Sequence, residues 1–134
     1  MKALDTNVLV RFLMADDEKQ TASVYELFKK SEKNKQELFI TILVMLELLW
    51  VLESLYQINR ASILNSLSDM MQMPLFKFEQ HTSLQQFIMA AKHNNTDLSD
   101  LLIAQSANTL GCKFTLTFDK KAAKTQLFKL MGEK

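Results

Sequence analysis

The sequence contains few of the residues that end or connect structural elements: two glycines and one proline among 134 residues, together with one cysteine. All-β folds with many turns, collagen-like repeats and linker-rich chains need more of these residues, so their scarcity favours a helix-rich fold. One cysteine, Cys112, excludes an intramolecular disulfide and any zinc site built from several cysteines. We expect this thiol to be a small buried group at the entrance of a strand, and we expect a reducing, cytoplasmic location.

Strong charge of one sign and long apolar runs are also lacking. The formal net charge is +1, so the chain lacks the overall positive charge by which many nucleic-acid-binding proteins are recognised. The most apolar segment, residues 38–52, includes Thr41 and Glu47 and is shorter than the roughly 20 apolar residues of a membrane-spanning helix. The first residues lack the pattern of a secretory signal. We therefore expect no membrane association and no export.

Apolar periodicity predicts short strands that alternate with longer helices. The predicted strands are residues 1–4, 38–40, 75–78, 112–117 and 127–131, and the predicted helices are 8–13, 19–31, 42–56, 60–71, 82–93, 98–110 and 120–126. Alternation of this kind indicates an α/β fold with right-handed crossovers. We predict a single domain over residues 1–134, a three-layer α/β/α sandwich with a mainly parallel central sheet of four or five strands.

Carboxylates lie where this topology places functional sites, at the carboxyl ends of strands. Asp5 follows the first predicted strand and Asp119 the fourth, and Asp97 with Asp100 opens the helix just before the fourth strand. Each residue also has a purely structural reading. Asp5 and Asp97 suit helix N-caps, Asp100 complements a helix dipole, and Asp119 suits a turn.

Glu47 lies in a helix whose other residues from Ile42 to Leu52 are apolar. Burial of an unpaired carboxylate is costly, and no Lys or Arg lies one helical turn away to form a local ion pair. We therefore expect Glu47 to be buried against a distant partner or a cation, and to point toward Asp5.

Clustered carboxylates favour divalent-metal chemistry. Two carboxylates about 4 Å apart repel by roughly 4 kcal/mol at an effective dielectric near 20, so a cluster requires protonation or cations. Oxygen-rich sites without imidazole favour Mg²⁺ or Mn²⁺, which can activate water and hold a phosphodiester in line for attack. The pattern therefore favours phosphodiester hydrolysis.

Four sequence blocks carry a resemblance to a known family. They are LDTNVLVR (4–11), LELLWVL (46–52), DLSDLLIA (97–104) and TFDK (117–120). In order and spacing they resemble the PIN-domain nucleases, with the closest similarity to the small VapC-type toxins of toxin–antitoxin pairs. The resemblance implies an endoribonuclease dependent on Mg²⁺ or Mn²⁺, an RNA substrate, a small antitoxin partner and a homodimer.

The same resemblance implies an acidic metal site made of four catalytic ligands, one auxiliary acid and three supporting polar residues. The four ligands are Asp5, Glu47, Asp100 and Asp119, the auxiliary acid is Asp97, and the supporting residues are Thr6, Asn7 and Thr117.

Two other functions are alternatives to the nuclease, a phosphoacceptor signalling domain and an inactive PIN-like module. A phosphoacceptor signalling domain would need an aspartate after a middle strand, whereas Phe78 is followed by Glu79. An inactive PIN-like module that binds RNA or protein would keep the fold without cleavage.

Residues 113–134 hold six lysines and two acids, a surplus of +4 that could attract a phosphate backbone or form an ordinary hydrated surface.

Overall fold

The computed structural model describes residues 1–132. The chain divides into two compact units, Met1–Glu79 and a second that begins at Gln80. Within residues 1–132, no helix combines the length and the hydropathy needed to cross a membrane.

The first unit contains a three-stranded parallel sheet. Its elements are β1 (Lys2–Ala3), α1 (Thr6–Met14), α2 (Glu18–Lys33), β2 (Leu38–Ile40), α3 (Ile42–Trp50), a π-helical turn (Val51–Leu55), α4 (Arg60–Met71) and β3 (Phe76–Phe78). β2 is the central strand, with Leu38 opposite Lys2 on one side and opposite Phe76 on the other.

Side-chain caps fix where the helices of the first unit begin. Asp5 accepts a hydrogen bond from the backbone N–H of Thr6 at the start of α1, and Thr41 accepts one from Val44 at the start of α3. The side chain of Asn59 accepts a hydrogen bond from the N–H of Ser62 at the start of α4. These oxygens satisfy N–H groups that lack a partner inside the helix, so each cap is determined by residues close in the sequence.

Aliphatic and aromatic side chains form the core of the first unit. Leu9, Ile40 and Leu48 are fully buried. Phe28 of α2 contacts Phe76 of β3 edge to face, with ring centroids 5.3 Å apart. Edge-to-face ring pairs contribute more free energy than the burial of their surface alone, so this contact stabilises the packing of α2 on the sheet.

The second unit contains two packed helices and a two-stranded parallel sheet. Its elements are α5 (His81–Ala91), α6 (Leu98–Thr109), β4 (Thr115–Thr117), a 3₁₀ turn (Ala122–Lys124) and β5 (Phe128–Leu130). Thr115 of β4 lies opposite Phe128 of β5. Phe128 is buried with Ala104 and Ala122, so this small cluster connects α6, the 3₁₀ turn and β5.

The predicted α/β class with parallel strands is confirmed. The sheets are smaller than expected, with three strands in the first unit and two in the second. The predicted bounds of β2 and α4 are those observed. The assignment of residues 1–134 to one domain stays a prediction.

The helix predicted over residues 42–56 is observed from Ile42 to Leu55, with its last turn, Val51–Leu55, in π-helical form. Two local expectations were wrong. The helix predicted over 120–126 is a single 3₁₀ turn. Cys112 is exposed, because it lies in the connection between α6 and β4 and not inside a strand.

Candidate active site

Asp5 lies at the carboxyl end of β1, where the sequence placed it. The backbone N–H of Leu4 donates to the carbonyl of Phe39 at 2.9 Å, so the pairing of β1 with β2 extends to the residue before Asp5. Oδ1 of Asp5 accepts a 2.8 Å hydrogen bond from the N–H of Thr6, and its side chain is exposed. Capping therefore orients the carboxylate while leaving it accessible.

The two predicted supporting residues beside Asp5 occupy different environments. Thr6 is buried and supplies the N–H that the Asp5 carboxylate accepts. Asn7 is exposed in the first turn of α1. Thr6 thus orients Asp5 directly, whereas Asn7 presents its amide to solvent.

Glu47 is exposed, which corrects the expectation that its carboxylate is buried. Leu43 and Trp50 lie four residues before it and three after it, on the same face of α3, and are 74% and 54% exposed. The opposite face buries Leu48 and Met45. The segment is apolar on all sides but packs through one face only, so Glu47 is hydrated and needs no buried partner.

Asp97 and Asp100 lie at the start of α6 in the second unit. Oδ2 of Asp97 accepts a 3.1 Å hydrogen bond from the N–H of Asp100, so the predicted N-cap is confirmed. The pKa of Asp100 is raised, chiefly because partial burial removes water from its carboxylate and then because Asp97 and Asp119 place negative charge nearby.

Asp119 is held by a turn that follows β4. Its Oδ1 accepts hydrogen bonds from the N–H groups of Lys121 at 2.9 Å and Ala122 at 3.3 Å. Its own N–H donates to Oγ1 of Thr117 at 3.0 Å. Thr117, one of the predicted supporting residues, therefore helps to fix the backbone that carries Asp119.

The carboxylates of the second unit have the chemistry of a site for a hard cation. Asp97, Asp100 and Asp119 offer oxygen donors, and the pKa of Asp100 is raised first by partial burial and then by the charges of the other two acids. Among residues 1–132, no three Asp, Glu, His or Cys side chains form a group that could by itself hold a metal ion. The donor type fits Mg²⁺ or Mn²⁺, which prefer oxygen ligands.

A family model described as "PIN domain" matches residues 2–126. The chain belongs to the PIN domain family. The match spans all four sequence blocks on which the resemblance rested. The chain is also similar to a VapC ribonuclease of Aquifex aeolicus (strain VF5), with 27% identity over 124 residues that cover 92% of this chain and 91% of that relative. No solved structure matched the chain significantly.

One polar network in this PIN domain was missed by the sequence reasoning. Arg11 of α1 donates from Nε to Oε1 of Gln20 at 2.6 Å and from Nη1 to Oδ1 of Asp16 at 3.0 Å. The same Nη1 also donates to the hydroxyl of Tyr56 at 3.2 Å. Tyr56 is far from Arg11 in the sequence and follows the π-helical turn, so no local spacing could reveal the contact.

Proposed function

We propose that this PIN domain is an endoribonuclease that hydrolyses RNA phosphodiester bonds with Mg²⁺ or Mn²⁺, and that it is the toxin of a toxin–antitoxin pair. The observation that carries the proposal is the PIN domain match over residues 2–126, which spans the blocks that hold Asp5, Glu47, Asp97, Asp100 and Asp119. In the second unit, partial burial and the charges of Asp97 and Asp119 raise the pKa of Asp100. Turns and a helix cap hold these acids where their charges repel, an arrangement that a divalent cation would stabilise. The family match and the name of the VapC ribonuclease relative support the substrate class.

The proposed metal ligands are the carboxylates of Asp5, Glu47, Asp100 and Asp119, with Asp97 as an auxiliary acid. When bound, the ion supplies activation of water and stabilisation of charge on the phosphate.

The supporting residues hold two of these ligands in place. Thr6 donates its N–H to Asp5, and Thr117 accepts the N–H of Asp119. Asn7 is exposed in the first turn of α1, beside Asp5 in the sequence, where its amide is accessible to a substrate. Orientation by backbone hydrogen bonds lowers the entropy that the carboxylates lose on binding an ion.

The proposal includes the expected partners. RNA is the substrate, a small antitoxin protein is the inhibitor, the protein forms a homodimer, and it acts in the cytoplasm. Support for the antitoxin comes from the VapC name of the relative.

Isosteric substitutions test the catalytic assignment. Asp5→Asn and Asp119→Asn keep an oxygen that can accept the capping hydrogen bonds but remove the charge, so both variants should fold normally. We expect each to lose metal-dependent cleavage of single-stranded RNA by more than the roughly 10- to 100-fold typical of a lost outer-shell partner. Cleavage is followed on gels with Mg²⁺, with Mn²⁺ and with a chelator.

Asp69→Asn is the matched control, because Asp69 is an exposed acid of α4 outside the proposed site. It should cleave like the parent. An Asp5→Asn variant as active as the parent removes Asp5 from the mechanism. A parent protein that binds RNA but cleaves none with either ion would instead be a non-catalytic RNA-binding module.

A further inference from the structure

The second unit exposes two aromatic rings and a leucine in and beside β4. Phe114 directly precedes the strand, Leu116 lies within it and Phe118 directly follows it, and their side chains are 41%, 58% and 84% exposed. This set is called the Phe114–Phe118 face. Exposed apolar groups gathered on one face cost free energy in water and are typical of binding surfaces.

The backbone that carries these rings is well held. The N–H of Thr115 donates to the carbonyl of Leu127, and the N–H of Met131 donates to the carbonyl of Thr117, both at 2.7 Å. The hydrogen bond from Asp119 to Thr117 closes the turn around Phe118. The backbone around Phe118 is therefore held in place while its side chain is exposed, and this combination favours a binding role for the ring.

One lysine lies beside this face, and four more lie in the same segment of the chain. Nζ of Lys129 lies 5.1 Å from the centroid of the Phe114 ring, and Lys129 is opposite Leu116 in the pairing of β4 with β5. Residues 113–132 contain the five lysines Lys113, Lys120, Lys121, Lys124 and Lys129. The one acid of this segment is Asp119, itself a proposed metal ligand.

Two of these lysines line an open polar cleft in the same unit. Lys121 and Lys124 share it with Asn94, Asn95 and Thr125. Ammonium and amide groups of this kind can donate to phosphate oxygens, so the unit offers positive charge as well as exposed rings.

We propose that the Phe114–Phe118 face binds single-stranded RNA, with the Phe118 ring stacked on one base, the Phe114 ring on another, and the lysines contacting the phosphates between them. Stacking on aromatic rings within a positively charged surface is the usual way in which proteins bind single strands. The inference rests on the proposed function and deepens it. Because Phe118 directly precedes Asp119, a stacked base would position the neighbouring phosphate for cleavage.

RNA explains this surface better than a protein partner does. Lysine is depleted at the centres of protein–protein interfaces, whereas aromatic rings interspersed with lysine suit a polyanion. A second copy of the chain would bring the same positive charges against this face and would be repelled.

Binding of a fluorescein-labelled oligouridylate, measured by anisotropy in the presence of a chelator, tests the inference without cleavage. We expect Phe118→Leu to weaken binding roughly 5- to 100-fold, the range that corresponds to the loss of one stacked base. Phe118→Tyr keeps the ring and should bind like the parent. Leu110→Ala, which truncates another exposed apolar side chain of this unit, should change nothing.

An abasic oligonucleotide with the same number of phosphates separates stacking from charge. The parent should bind it more weakly than Phe118→Leu binds the oligouridylate, because both stacked bases are missing. The parent and Phe118→Leu should bind the abasic strand equally, since neither can stack on it. Thermal unfolding checks that all variants fold; at 84% exposure the ring contributes little to the core.

Three results would overturn the inference: no binding by the parent, equal binding by the parent and Phe118→Leu, or a change in self-association of Phe118→Leu with RNA binding intact. The assay is independent of the proposed function, since it needs neither metal nor cleavage. A parent that binds but does not cleave loses the nuclease assignment alone, whereas a Phe118→Leu variant that cleaves with unchanged KM removes the stacking role alone.

Discussion

The hydroxyl of Tyr56 donates a 2.7 Å hydrogen bond to Oδ2 of Asp16, and the same hydroxyl accepts one from Nη1 of Arg11 at 3.2 Å. This contact connects the segment after α3 to the end of α1 within the first unit. α1 begins beside Asp5 and α3 carries Glu47, so the network restrains two helices that hold proposed ligands.

Tyr56→Phe should make stability depend less on pH. The Tyr56 hydrogen bond is the largest influence lowering the pKa of Asp16, and Arg11 lowers it further. A carboxyl whose pKa is lower in the folded state stabilises the fold above its unfolded pKa, near 4, and this contribution is lost as the pH falls through the folded value. The parent should therefore be more stable than Tyr56→Phe at pH 7 in urea unfolding, and the difference should shrink below about pH 4.

Tyr25→Phe is the control for this comparison, since Tyr25 is half exposed and its ring contact with Phe12 survives loss of the hydroxyl. A parent–variant difference for Tyr56→Phe that is the same at pH 7 and at about pH 2.5 would contradict the role assigned to Asp16.

Asp100→Asn should stabilise the protein in the absence of divalent ions. The pKa of Asp100 is raised by burial and by Asp97 and Asp119, so the folded state holds its proton more tightly than the unfolded chain. Stability therefore falls as the pH rises through the interval between the unfolded and folded pKa values. Above that interval Asp100→Asn should melt at a higher temperature than the parent, with no difference below about pH 4.

Added Mg²⁺ or Mn²⁺ should reverse this order, since an ion that binds only the folded parent raises its melting temperature. Asp69→Asn should respond to ions as the parent does. Equal responses of the parent and Asp100→Asn would remove Asp100 from the proposed ligands.

Two substitutions of Asp97 distinguish its role as a helix cap from its proposed role as an auxiliary acid at the metal site. Asp97→Ala removes the acceptor for the N–H of Asp100 and should cost about 1 kcal/mol of unfolding free energy. Asp97→Asn keeps an acceptor and should cost only a few tenths of that. If Asp97 acts as an auxiliary acid, both variants should cleave RNA more slowly. If Asp97→Asn cleaves RNA at the parental rate, Asp97 is a helix cap and has no role in cleavage.

Leu48→Ala should destabilise the first unit by about 2–5 kcal/mol, because Leu48 is fully buried. Leu43→Ala makes the same change on the exposed face of α3 and should stay within about 0.5 kcal/mol of the parent. Urea unfolding measures both. Similar losses in the two variants would mean that the face carrying Glu47 is packed in solution.

The start of α3 was predictable from neighbouring residues, whereas the environment of Glu47 was not. The cap by Thr41 needs only a side-chain oxygen three residues before the N–H group of Val44. Glu47 was assigned to the right helix, but a segment that is apolar all round has no polar stripe to indicate which face packs. Its exposure followed from contacts made by Leu48 and Met45 on the opposite side.

By itself, the sequence determined the alternation of strands and helices, the caps at Asp5, Thr41 and Asp97, and the four blocks that belong to the PIN family. These depend on hydrogen bonds and periodicities that span a few residues. Tertiary structure alone decided which face of α3 meets water, the pairing of Tyr56 with Arg11, and the partial burial and neighbouring charges that raise the pKa of Asp100. Burial and electrostatic coupling depend on distances between residues far apart in the chain, and local patterns do not encode those distances.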